Sequence, residues 1–192
     1  MSWDALHTYD NGLDFFGAVV RAVPAGDWGR PSPCAGWSAL DVLGHVGLST
    51  GVGVTILRGE TVTVSPVEPP SAAVSGDPVA WWDELEAGAH AALKSVDDLD
   101  RIVDSPAGPR TVREGLSFPA ADLYMHGWDL ATATGRDIEI PTEAIEFIEG
   151  LFADIPDEIT RRPGVFGPPV SAPEDASPTD VLMAFAGRDP GR

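Results

Sequence analysis

The sequence contains a single cysteine, Cys34, which excludes a disulfide within the chain. A lack of disulfides is compatible with the reducing cytosol. The first residues, Met-Ser-Trp-Asp-Ala-Leu-His, include neither a basic nor an apolar stretch, so we expect no signal peptide. The longest apolar run is interrupted by Gly, His, Ser and Thr, so no segment predicts a membrane span. We therefore expect a cytoplasmic protein.

Basic residues are also scarce. Lys and Arg together number 12 against 30 Asp and Glu, and the net charge is -18. Nucleic-acid binding requires clustered Lys and Arg on the protein, and attraction to an anionic membrane surface has the same requirement. The charge therefore argues against both classes of partner.

Apolar residues recur at helical spacing through most of the chain, and 43% of its 192 residues are hydrophobic. This pattern predicts an all-α fold, an up-and-down helical bundle formed as one domain over residues 1–192. A capping-box-like start, Ser38-Ala-Leu-Asp41, precedes the most apolar helix, which we expect to be buried. The predicted helices are Trp3 to Val23, Ser38 to Leu57, Pro78 to Ser95, Pro119 to Thr134, Thr142 to Ala153, and Pro178 to Ala186.

Pro/Gly-rich segments separate these helices. We expect an exposed loop from Gly59 to Asp77, a small hairpin or a loop from Ile102 to Val112, and an irregular tail from Pro163 to Pro173. The first and last of these segments could shape the mouth of a ligand pocket.

Three residues are candidate metal ligands. Asp122 and His126 lie four residues apart on one predicted helix, and residues at this spacing share a helix face. Two ligands from one helix cannot close a site, and His45, halfway along the buried helix, is the best-placed third ligand. Three protein ligands leave a position open for water, a thiolate or a substrate oxygen, as a catalytic metal requires.

The residue types leave several alternatives open. Imidazole and carboxylate together suit Zn²⁺, with Ni²⁺, Fe²⁺ or Mn²⁺ as competitors. Asp129 could replace Asp122 as a ligand, or orient a ligand through a hydrogen bond. Without a metal, Asp122 and His126 would be a hydrogen-bonded or solvated pair, and His45 an ordinary buried histidine.

Other chemically active side chains receive simpler interpretations. Cys34 has no Lys or Arg within three residues to activate it, so we expect a small buried side chain. Trp37 and Trp128 are expected in the core or in a pocket wall. His90 is expected at the surface, and His7 is given no role.

The residues described so far resemble the actinobacterial metal-binding branch of the mycothiol-dependent maleylpyruvate isomerase family, within the DinB-like superfamily. The resemblance spans nearly the whole chain, and the joint match of its segments is more specific than any one of them. The matching segments are Pro33-Cys-Ala-Gly-Trp-Ser38 through His45, Asp122 to Gly135, and Phe166 to Val170 followed by Asp175 to Asp180 and Phe185 to Pro190.

The resemblance implies a DinB-like four-helix bundle and a divalent metal, typically zinc, held at the positions of His45, Asp122 and His126. It also implies mycothiol as a cofactor, with its sulfur at the metal. Two departures matter. The isomerases have a glutamate where this chain has Asp122. They also carry a second, C-terminal domain, and this chain ends before it. For that reason maleylpyruvate is not carried over as a substrate.

Three functions are compatible with these expectations. The first is a metal-dependent enzyme in which a thiolate attacks an electrophilic small molecule, by isomerisation or thiol transfer. The second is metal-assisted hydrolysis by a bound hydroxide, which needs no thiol. The third is a non-catalytic metal- or ligand-binding or stress-response protein. A homodimer formed through an exposed helix face is a further expectation.

Overall fold

The computed structural model describes residues 3–63, 65, 67–106, 108–153, 155–161 and 165–191. The chain divides into two compact units, one of Asp4–Asp137 and one of Met1–Trp3 with Ile138–Arg192. Helices dominate the regular secondary structure of both units, which confirms the predicted all-α class. The interpretation of residues 1–192 as one domain stays a prediction.

Four long helices make the bundle of the larger unit: α1 (Ala5–Arg21), α2 (Ala39–Leu57), α3 (Pro78–Ser95) and α5 (Ser117–Ala133). Helix α1 packs against α5 and α3, and α2 packs against the same two helices. The bundle core is formed by large side chains that are fully buried, among them Tyr9, Phe16, Leu43, Trp82 and Tyr124. The predicted four-helix bundle is therefore confirmed.

Helix α2 begins at the predicted capping box. The Asp41 carboxylate accepts hydrogen bonds from the Ser38 amide (2.9 Å) and hydroxyl (2.6 Å), and the Asp41 amide donates to the Ser38 hydroxyl (3.2 Å). The same carboxylate accepts the Ser71 amide at 3.0 Å. Burial raises the pKa of Asp41, but the hydrogen bonds from Ser38 and Ser71 outweigh it and bring the pKa down to about 2. This carboxylate therefore holds two chain segments together.

The bond to Ser71 anchors a 3₁₀ helix, Pro70–Ala73, against the start of α2. Pro70 is buried. Its carbonyl lies so close to Gly44 of α2 that a Cβ atom at position 44 would not fit. The segment from Gly59 to Asp77 is therefore not the wholly exposed loop that its composition predicts, because a buried cap and a close backbone approach fix part of it. Val64 and Pro66 of this segment lie outside the described residues.

By length and composition, helix α2 is long and apolar enough to cross a membrane. The core helix of a bundle also has this length and composition, and more than half of α2 is buried. It is not buried all round, since Leu48 is exposed and His45, Ser49 and Val52 are half-buried. The exposed side of α2 is the side that carries the predicted ligand His45.

The hairpin alternative for residues 102–112 is confirmed. Strands β1 (Ile102–Val103) and β2 (Arg110–Thr111) pair antiparallel, with Val103 opposite Arg110. The hairpin leads directly into a short helix, α4 (Val112–Gly115), which is capped by Thr111 and Glu114. Ala107, in the predicted turn, lies outside the described residues.

The smaller unit contains α6 (Thr142–Ala153), α7 (Asp157–Thr160) and α8 (Pro178–Phe185). The Thr179 hydroxyl accepts the Ile140 amide at 2.9 Å and so joins the start of α8 to the segment before α6. The Arg161 guanidinium donates to the carbonyls of Gly167 and Phe185, each at 2.8 Å. Pro163 and Gly164 of the predicted tail lie outside the described residues.

Candidate metal centre

The three predicted ligands come together where α2 faces α5. One donor atom each from His45, Asp122 and His126 lies within 4.8 Å of the other two. His45 Nε2 is 3.7 Å from Asp122 Oδ2, and the centres of the two imidazole rings are 4.7 Å apart. Two ligands of one tetrahedral zinc lie roughly 3.3 Å apart for bonds of 2.0–2.1 Å. The spacing therefore fits a single ion with small side-chain adjustments.

A buried carboxylate orients the deepest of the three residues. Asp129, one turn along α5, has its side chain fully buried, and its Oδ2 lies 2.9 Å from His126 Nδ1. Burial lowers the pKa of His126, and this effect outweighs the opposing pull of Asp129. A neutral His126 that donates its Nδ1 proton to Asp129 keeps a lone pair on Nε2. Metal-binding histidines are commonly oriented by a carboxylate in this way.

Ser49 fixes the carboxylate of the site. It lies one turn after His45 on α2, and its hydroxyl donates to Asp122 Oδ2 at 2.6 Å. Burial raises the pKa of Asp122, but His45, His126 and Ser49 together bring it below its usual value. Asp122 is therefore an anion with a fixed orientation, despite being one methylene shorter than a glutamate.

Exposure increases across the three donors. The His126 side chain is 11% exposed, Asp122 is 30% exposed and His45 is 36% exposed. The histidine held by Asp129 therefore lies at the base of the site, and the other two donors lie near solvent. An open coordination position would face outward, where a small molecule can reach it.

Two residues before α2 complete the wall of the site. Cys34 Sγ donates to Asp129 Oδ2 at 3.1 Å and lies 3.8 Å from His126 Nδ1. The centre of the Trp37 ring lies 4.9 Å from that of His45 and 6.0 Å from that of His126. Of the two predicted positions for Trp37, in the core or in a pocket wall, the structure shows the second.

Sequence reasoning missed the positions of Cys34 and Ser49 beside these donors. Cys34 reaches the site through a loop that an isolated bridge between Pro31 and Ser38 closes, and its local sequence shows no sign of this. Ser49 could have been found, because it follows His45 by four residues on the same helix face.

Cys34, His126 and Asp129 form a second group of potential ligands, which shares His126 with the first. A third group, Asp14, Glu86 and His90, lies elsewhere on the bundle. Its members already have charged partners. Arg21 pairs with Glu86, and the ring nitrogens of His90 lie 3.1 Å from Asp10 and 3.3 Å from Asp14. Each member of this cluster therefore already has a partner within the bundle.

The chain matches the profile of the mycothiol maleylpyruvate isomerase N-terminal domain over residues 9–131. The match includes most of α1, all of α2 to α4, and α5 as far as Ala131. The chain belongs to this family. Two proteins of Mycobacterium tuberculosis, from strains CDC 1551 / Oshkosh and ATCC 25618 / H37Rv, are each 30% identical to it over 187 residues. The alignments cover 96% of this chain and 98% of each relative, both of which are named as uncharacterized proteins.

Two crystal structures of the mycothiol-dependent maleylpyruvate isomerase, one of them of a histidine-to-alanine mutant, resemble this fold. Each has a TM-score of 0.62 and covers 81% of this chain and 68% of its own, at 19% identity for the mutant and 20% for the other structure. At this level of identity the likeness bears on the fold, and it confirms the DinB-like bundle.

Proposed function

We propose that this family member is a divalent-metal-dependent enzyme that uses mycothiol to transform an electrophilic small molecule, by isomerisation or thiol transfer. The family description and the names of the structurally similar enzymes support the thiol and the reaction class. The observation that carries the metal is the convergence of His45, Asp122 and His126, with Asp129 behind the deepest of them. We infer no substrate from the relatives' names.

In this proposal His45, Asp122 and His126 hold the ion, with zinc as the first choice and nickel as the alternative. A bound zinc would lower the pKa of a thiol placed against it, so that the thiolate is present at neutral pH. Asp129 acts through His126, since it holds the Nδ1 proton and leaves Nε2 to face the site. Ser49 acts through Asp122, whose carboxylate it keeps turned toward His45.

Trp37 and Cys34 shape the pocket around the thiol. The indole ring lies against both imidazoles, with its centre 4.9 Å from that of His45 and 6.0 Å from that of His126. The Cys34 thiol shares Asp129 Oδ2 with His126, so it supports the hydrogen bond that orients the histidine. A cytoplasmic location belongs to the same proposal, because a thiol cofactor has to stay reduced.

Titration of the cobalt-substituted protein with mycothiol tests the proposal. We expect a new sulfur-to-metal absorption band in the wild-type protein and none in His126→Ala. The matched control is His90→Ala, which removes a histidine paired with carboxylates elsewhere on the bundle and should keep the band. No spectral change at saturating thiol would refute thiol use.

The same preparation separates the rival functions. Turnover of activated esters or amides without any thiol would favour metal-assisted hydrolysis. Tight binding of a small molecule with no turnover, in the presence of metal and thiol, would favour a non-catalytic binding protein.

A further inference from the structure

The line of contact between α2 and α5, which we call the seam, continues beyond the candidate metal centre. His45, Ser49, Val52 and Ile56 follow one another at spacings of four, three and four residues, so they share one face of α2. Helix α5 runs in the opposite direction, and Asp122 faces Ser49 across the seam at 2.6 Å. The seam therefore leads from His45 along α2 toward Ile56.

An apolar cavity of about 150 Å³ lies at the far end of this seam. Its apolar walls include Val52 and Ile56 from α2, Val103 from β1, and Phe118 and Pro119 from α5. A helix rises 1.5 Å per residue, so Val52 lies roughly 10 Å along α2 from His45. The cavity and the metal centre are therefore close enough for one small molecule to reach both.

Phe118 relates the cavity to the second helix of the seam. It lies four residues before Asp122 on α5, on the same face of the helix. Phe118 is 42% exposed, which is high for a large apolar residue in this bundle. The cavity is therefore open to solvent at Phe118, one helical turn from Asp122.

The cationic side chain of Arg110 lies at the rim of the cavity. Arg110 lines it from β2, where pairing with Val103 of β1 fixes its backbone. Its charge interacts with that of Glu114 on the neighbouring helix α4. The Glu114 carboxylate also accepts the Thr111 amide at 2.9 Å as part of the α4 cap. Arg110 thus brings a positive charge to the rim of the cavity, on a chain of net charge -18.

We propose that this cavity is the specificity pocket of the enzyme, and that its substrate is an electrophile with a benzene-sized apolar group and a carboxylate. The apolar group fills the space between Val52 and Phe118, the carboxylate pairs with Arg110, and the reactive carbon lies toward His45 and Asp122. An apolar cavity of roughly 150 Å³ is large enough for benzene, and arginine binds carboxylates through two parallel hydrogen bonds. This inference rests on the function proposed above.

Binding of two aromatic probes to the zinc-loaded protein, followed by NMR, tests the pocket. The probes are phenylacetate and 2-phenylethanol, which share the ring and differ in charge. Arg110→Met should weaken phenylacetate binding about tenfold and leave 2-phenylethanol unchanged, since one charged bidentate pair is lost. Val52→Phe fills the cavity and should weaken both probes. Arg58→Met, which removes an exposed arginine at the end of α2, is the charge-matched control and should change neither.

The outcomes separate the pocket from the proposed function. Unchanged phenylacetate affinity in Arg110→Met, or no binding of either probe to the wild-type protein, overturns the pocket. Phenylacetate binding that is lost in His126→Ala but kept in Arg110→Met places the carboxylate on the metal and also overturns it. Binding that depends on Arg110 and Val52 in a protein that takes up no metal supports the pocket and contradicts the proposed function instead.

Discussion

Replacement of Asp129 by asparagine tests the internal support of the proposed metal centre. The Asp129 side chain is fully buried, and its Oδ2 accepts hydrogen bonds from His126 Nδ1 (2.9 Å) and Cys34 Sγ (3.1 Å). An asparagine whose carbonyl oxygen takes the place of Oδ2 can accept both bonds, but it removes the negative charge behind the imidazole. Carboxylates in this position typically contribute 10- to 100-fold to metal affinity. We therefore expect Asp129→Asn to weaken zinc binding by about that factor, or about 1.4–2.7 kcal/mol.

Zinc affinity measured by competition with a chelating dye is the assay, with chemical unfolding of the metal-free protein as its control. Asp129→Ala should in addition lower the free energy of unfolding by about 1–3 kcal/mol, because it leaves buried donors without an acceptor. Unchanged zinc affinity in Asp129→Asn would refute the orienting role. Complete loss of zinc would instead make Asp129 a direct ligand, the alternative that the sequence leaves open.

Three further substitutions test single hydrogen-bonding side chains at the site and at the start of α2. Ser49→Ala removes the 2.6 Å bond to Asp122 and should weaken zinc about fivefold, the equivalent of one hydrogen bond, with little change in helicity by circular dichroism. Cys34→Ser keeps a donor to Asp129, so zinc affinity should stay within about threefold of wild type, whereas a larger loss would make the sulfur itself a ligand. Asp41→Asn should lower the free energy of unfolding at pH 7 by about 2 kcal/mol, since the pKa of Asp41 is about 2 rather than 3.8. Because that pKa is depressed, the wild-type advantage is complete above about pH 4 and disappears as the pH falls toward 2, and an advantage that does not change with pH would contradict the assignment.

Much of the bundle could be predicted because its signals are local. The capping box at Ser38 and Asp41, the helical periods and the four-residue spacing of Asp122 and His126 all depend on residues close in sequence. The placement of His45 opposite that pair followed from the need for a third ligand on another helix. The structure brings the three together, and their role as ligands stays a proposal.

The rest of the site depends on contacts between residues distant in sequence. Cys34 and Asp129 are separated by 95 residues, and the hydrogen bond between them exists only because the loop before α2 folds over α5. The burial of Pro70 likewise depends on the absence of a side chain at Gly44 and on the Asp41 carboxylate, both in a different segment. The spacing of apolar residues and the amino-acid composition carry no information about contacts between such distant residues.

Elemental mass spectrometry on untagged protein measures the metal content on which the proposed function depends. We predict about one equivalent of zinc or nickel in the wild-type protein. We also predict loss of that metal in His45→Ala and in His126→Ala, with helicity kept, and retention in His90→Ala. A wild-type protein that stays metal-free after reconstitution, or either site variant that retains its full equivalent, would contradict the proposed function.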